Sequence, residues 1–196
     1  DIDDIISEIC RVYEHHKCTE SADDMLVGIR DLGSVTDRIY YTVINKERND
    51  ELLSEIPHRD ILDLAVVYRL SINMGDSICG SALVNNGMLD HWDITEDELF
   101  SIAYKNTPIM LGCELKNMLE LLLEIYKRQD NYKLISLLAN QEPYMYVVSN
   151  REKCNGAGVI FLNDDFRAEV RRKLRSDIVI IPSSVHETIV IPYNDE

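Results

Sequence analysis

The chain has 196 residues, with 35 acidic and 20 basic side chains and a formal net charge of -15. Hydrophobic residues make up 45% and charged residues 28%, a balance that excludes a disordered chain, a collagen-like repeat and a small disulfide scaffold. A pI near 4.7 disfavours bulk binding to nucleic acid or anionic lipid, because both repel the average surface.

Taken in chain order, residues 2–17 place Ile2, Ile5, Ile6, Ile9, Val12 and Tyr13 on one helical stripe, with acids at its start. With a short helix over 22–29, they make 1–30 a helical N-terminal segment. Residues 39–44 are rich in Tyr, Thr, Val and Ile and read as a strand; 47–54 read as a helix stopped by Pro57. Over 62–72, large apolar residues alternate with smaller or polar ones, which predicts a strand with one face in a core. A turn at 73–76 returns it to 78–84 as a hairpin, broken by Asn85-Asn86-Gly87. Thr95 and Glu98 form a capping box for a helix running to Pro108. Residues 114–128 carry leucines on more than one helical face, so the predicted helix is sandwiched or lies at an interface. Another helix is expected at 131–139. The tail reads as a strand at 144–149, a strand or buried helix start at 157–162, a helix at 165–175 and strands at 178–181 and 188–191.

These elements predict one α+β domain over 1–196, with a mostly antiparallel sheet and a helical middle segment. Tyr41–Glu47 echoes Tyr146–Glu152, and Ile56-Pro57 echoes Ile181-Pro182. Duplication of a strand–helix–strand unit would explain both; chance similarity is the alternative. The chain starts at Asp1 with no initiator Met and is read as a trimmed or processed piece of a longer protein. Five scattered cysteines without a C-x-x-C pair fit a reduced, cytoplasmic setting. No apolar run approaches the roughly 20 residues a membrane helix needs.

Four segments resemble an uncharacterised family from gut Firmicutes, known only as a domain of unknown function. They are IPHRDILDLAVVY at 56–68, ITEDEL at 94–99 with KNTP at 105–108, MYVVSN at 145–150 with NGA at 155–157, and IPSSVHE at 181–187. A more distant similarity is to YtpQ-like bacterial proteins. The resemblance covers essentially the whole chain and implies a longer N-terminus, so that the chain would be the C-terminal part of a longer protein. It implies no activity and brings no functional residue.

Chemistry concentrates in two places. Residues 183–187 hold the atom types of a nucleophilic triad, with Ser184 as nucleophile and His186 as base. Glu187 would point to the opposite face of an extended segment, so Asp60 or Asp63 from the other Ile-Pro loop would have to supply the carboxylate. The alternative is a turn in which the serines and His186 bond loop backbone. His58 and Arg59, with His186, could bind an anionic ligand if the loops meet. Otherwise Asp60 accepts backbone amides and Arg59 is solvated.

Cys10, His15, His16 and Cys18 match no standard zinc spacing, so no metal is expected. Arg167, Arg171, Arg172, Lys173 and Arg175 form a basic flank opposite the Phe166, Val170 and Leu174 ridge, where pairing with nearby acids outweighs nucleic-acid contact. There is no G-x-x-x-x-G-K-[ST] and no G-x-G-x-x-G, and Gly156-Ala157-Gly158 is too short to imply phosphate binding, so no cofactor is expected. The resulting expectation is a non-catalytic cytoplasmic interaction module that binds another protein or a second copy through the 114–128 helix. The alternative is a hydrolase or small-ligand binder using the loops at 56–60 and 181–187.

Overall fold

The computed structural model describes residues 31–73, 78–128, 144–150 and 155–193. The helices expected within 1–30 and 131–139, and the centre of the turn at 73–76, lie outside the described residues. In chain order the elements are α1 (Leu32–Val35), β1 (Ile39–Asn45), α2 (Asp50–Leu53), β2 (His58–Ile61), β3 (Leu64–Asn73), β4 (Ile78–Leu83), α3 (Asn86–Trp92), α4 (Glu96–Met110), β5 (Glu114–Asn117), α5 (Met118–Arg128), β6 (Tyr146–Ser149), α6 (Val159–Leu162), α7 (Asp164–Leu174), β7 (Asp177–Pro182) and β8 (Thr188–Tyr193). The class is α+β, as expected, but the strands form two four-stranded antiparallel sheets rather than one.

Strand β3 organises the first sheet. Its period of two sends Leu64, Val66, Tyr68 and Leu70 to one face, where they meet Ile39, Tyr41 and Val43 of β1 and Leu99 and Ala103 of α4. The smaller Ala65 and Val67 face the other way and are buried under Leu53 and Ile56. β1 covers one edge from Leu64 to Leu70. β2 and β4 share the other edge end to end, at 64–67 and 69–73. The Val84 amide donates to the Tyr68 carbonyl at 2.9 Å, just beyond the last β4 pair.

The capping box at Thr95 and Glu98 is complete in both directions, and the Thr95 amide and hydroxyl, both donating to the Glu98 carboxylate, hold that carboxyl below its usual range. Four boundaries differ from the sequence reading. Residues 58–61 form β2 rather than a loop, because they pair with 64–67. Leu62 therefore belongs to the turn and not to the long strand; it has φ 54° and is 94% exposed. α4 passes through Pro108 to Met110, since a proline in the final turn forfeits a single bond, and Gly112 at φ 63° ends the segment. The helix expected over 114–128 starts only at Met118. Residues 114–117 are instead zipped to 146–149, and the Asn117 side chain accepts the Leu119 amide at 2.8 Å. Asn85 does not merely break β4: its side chain accepts the Met88 amide at 3.0 Å and caps α3.

The second sheet runs β5-β6-β8-β7. Phe166, Val170 and Leu174 dock α7 on its inner face against Val148, Val190, Ile178 and Ile180. The outer face shows Val179 at 41% and Ile181 at 40% exposure. The pairing order β1-β3-β2 recurs as β6-β8-β7, each a strand, a helical connection and a hairpin whose second strand takes the central place. The two Ile-Pro dipeptides are not equivalent in this repeat. Ile56-Pro57 precedes β2, whereas Ile181-Pro182 closes β7.

Residues 155–162 join the sheets. A Cβ on Gly156 would lie 2.8 Å from the Asn150 amide nitrogen, and one on Gly158 would lie 3.2 Å from that of Val43. Only glycine permits both approaches without displacement. Phe161, just beyond, packs into both principal cores.

Candidate functional site

The first predicted group lies on β2. Arg59 Nη2 donates to Glu96 at 2.6 Å and to Asp97 at 2.5 Å, and its guanidinium sits 4.0 Å from the centroid of the Phe100 ring. The Tyr68 hydroxyl donates to the same Glu96 carboxylate. The Glu96 bond raises the Arg59 pKa, and burial followed by that shared carboxylate raises the Tyr68 pKa. Arg59 thus clamps β2 to the first turn of α4, and an anionic ligand would have to displace two carboxylates to reach it. His58 donates through Nδ1 to the Ile56 carbonyl at 3.1 Å. Asp60 pairs with Lys46 and lies 4.0 Å from His58 Nε2.

The second group lies between β7 and β8. Ser184 Oγ accepts the amides of His186 at 3.1 Å and Glu187 at 3.3 Å, the pattern of a serine-stabilised turn. His186 Nδ1 accepts the Asn155 amide at 3.1 Å, and the His186 carbonyl accepts Ser149 Oγ at 2.9 Å. These bonds tie the turn to the start of the glycine-bearing segment at Asn155 and to the end of β6 at Ser149. His58 and His186 therefore have separate partners on different sheets. No described contact brings Ser184, His186 and Asp60 together.

Helix α7 separates two concavities. Asp164, Arg167, Ala168 and Arg171, at i, i+3, i+4 and i+7, line a groove of about 370 Å³ against β7. Its charges neutralise one another: Arg167 pairs with Asp164, and Arg171 with Asp177. Arg167 also donates to the carbonyls of Ile160 and Phe161. The basic flank is thus partly consumed locally.

The other flank of α7 presents Asp165, Phe166 and Glu169 to a cleft of about 420 Å³. The facing wall is α4, with Tyr104, Lys105 and Pro108, while Tyr41 of β1 and Cys113 complete it. The cleft therefore lies where the two sheets' covering helices meet. Lys105, Asp165 and Glu169 form no ion pair among the described residues, in contrast to the neighbouring groove. Tyr41 is 1% exposed, yet no described group bonds its hydroxyl. No fully enclosed side-chain polar atom among the described residues lacks a partner, so this hydroxyl opens on the cleft. Burial, then Tyr104 and Cys113, raise its pKa, against a smaller opposing effect of Arg167. Burial and the Glu169 carboxylate push the Cys113 thiol up to about 11, keeping it protonated at neutral pH.

Sequence reasoning missed this cleft. The available signal was Tyr41 on the core face of a strand, since a buried tyrosine hydroxyl needs a partner or an opening. A second signal was the pairing of Asp165 with Glu169 at i, i+4 beside Phe166. Cys10, His15, His16 and Cys18, where no metal is expected, lie outside the described residues; among the described ones, no three metal-binding side chains cluster. No described helix is long and apolar enough to cross a membrane.

The model of a family of unknown function, DUF5688, matches residues 1–196, and the chain belongs to that family. No curated protein and no solved structure matches the chain.

Proposed function

We propose that this DUF5688 member is a non-catalytic module that captures a small ligand in the cleft between α4 and α7. The observation that carries the reading is the Tyr41 hydroxyl, on a residue 1% exposed, bonded by no other described group and opening on a cleft of about 420 Å³. That volume falls in the range of small-molecule sites, roughly 300–1,000 Å³, and polar groups converge on apolar walls there. By contrast, Ser184 bonds its own turn, His186 accepts the Asn155 amide and Asp60 pairs with Lys46. Binding through the loops at 56–60 and 181–187 is therefore less well supported than binding at the cleft. A cytoplasmic setting and a place among Firmicutes proteins belong to the same proposal, supported by the free Cys113 thiol and by the four sequence segments respectively.

The test is thermal denaturation of the wild type and Tyr41→Phe with a library of amino acids, organic acids, amines and sugars. A site at Tyr41 gives at least one compound that raises the wild-type Tm and raises that of Tyr41→Phe less. No stabilising compound, or equal shifts in both proteins, would count against it.

A second reading, self-association, is favoured by β7. This strand is an edge of the second sheet, and its outward Val179 and Ile181 pair across to Ile191 and Ile189 as an apolar strip. Pairing of β7 with a second copy about a two-fold axis would continue both the sheet and the strip. Such a dimer would use β7 rather than the leucine-rich segment at 114–128, whose Leu121, Leu122 and Leu123 are partly covered. Sedimentation of wild type and Val179→Lys separates the cases: a dimer that dissociates in the variant supports it, and a wild-type monomer removes it.

A further inference from the structure

We propose that the cleft ligand is a zwitterion of the α-amino-acid class with an apolar or aromatic side chain; this rests on the cleft being the binding site. The charges are segregated by wall. Lys105 stands on α4, and Asp165 and Glu169 stand on α7. A ligand bearing only an amine leaves Lys105 without a counter-charge, and one bearing only a carboxylate faces two acids. A compact molecule carrying both groups meets each wall with the opposite sign. The two walls do not close on each other: Lys105 forms no ion pair with either acid.

The remaining surface fits the rest of such a molecule. Tyr104, Pro108 and Phe166 supply apolar contact, and the aromatic rings also accept an ammonium on their faces. The Tyr41 hydroxyl is free to donate to a carboxylate or accept from an ammonium. Cys113 stays a neutral thiol beside Glu169, so it adds no third negative charge. The groove on the opposite flank of α7 offers none of this, because its arginines and aspartates are already paired.

The test is calorimetric titration of the full chain with L-phenylalanine, N-acetyl-L-phenylalanine, L-phenylalaninamide and phenethylamine. Each derivative removes one charge while keeping the ring. The account expects L-phenylalanine to bind and all three derivatives to bind about tenfold weaker or worse. Lys105→Met and Glu169→Gln should each weaken L-phenylalanine by a similar factor. Both positions are exposed, so circular dichroism will show the fold retained. If phenethylamine or the N-acetyl derivative matches L-phenylalanine, the zwitterion class is overturned while the cleft survives. If none of the four binds, the amino-acid class is overturned, and the cleft itself stands or falls separately on the Tyr41→Phe comparison across the wider library.

Discussion

The two sheets share a pairing order and differ in how they are covered. In the first, β3 is buried on both faces, by α4 on one side and by Leu53 and Ile56 on the other. In the second, α7 covers the inner face, while Val179 and Ile181 remain exposed on the outer one. The same topology can thus serve as a sealed core or as a surface, depending on what the connecting helix brings. The cleft lies on the boundary, where a helix from each half leaves polar and aromatic side chains facing each other. The first sheet holds the larger cluster of buried apolar residues, and the junction holds polar side chains that pair with no other described residue.

The largest expected effect breaks the sealed half. Leu70→Ala, at a fully buried centre, should cost about 3 kcal/mol in urea unfolding, whereas Ile181→Ala on the outer face should stay within about 0.5 kcal/mol. Comparable losses at both positions would contradict the asymmetry. Next is the joint between the halves. Gly156→Ala brings a methyl to 2.8 Å from the Asn150 backbone nitrogen and should cost about 1–3 kcal/mol. A neutral result would mean that the segment moves freely between the sheets. Loss of the α4 cap by Thr95→Ala should cost about 1 kcal/mol, measured in the same way.

The smallest effect is titrimetric and belongs to the cleft. The folded Cys113 thiol holds its proton up to about 11, above the ordinary value of 9.0. The unfolded chain therefore releases that proton first. The stabilising contribution is complete below the ordinary thiol value and is lost as pH rises through about 11. The alkylation rate of Cys113 should rise along the same pH range, and Glu169→Gln should move its midpoint down. A midpoint at the ordinary value in the wild type would place the thiol in open solvent.

Much of the fold was legible because it rests on local signals. The alternation of β3, the Thr95–Glu98 capping box and the Phe166, Val170, Leu174 ridge each specify an element within a few residues. What was not legible depends on pairing that periodicity alone does not show. Residues 58–61 become a strand because 64–67, just across a tight turn, pair with them, and 114–117 do so because the sequence-distant 146–149 are available. The glycines at 156 and 158 are too short a signal to imply phosphate binding, and nothing local shows their role, which is set by Asn150 and Val43. The candidate site was hidden for the same reason: Tyr41, Lys105, Cys113 and Glu169 span four separate parts of the chain. The serine, histidine and arginine that attracted attention have side-chain types shared by catalysis and by turn or helix-end bonding, and only coordinates distinguish the two uses.

The most direct test of the cleft is the alkylation rate of Cys113, read by mass spectrometry of its peptide, with and without L-phenylalanine at about the concentration that half-occupies the wild type. The account predicts that the amino acid slows alkylation in the wild type and does so much less in Glu169→Gln. An unchanged rate under conditions where calorimetry shows the amino acid bound would place the ligand elsewhere on the molecule and contradict the account.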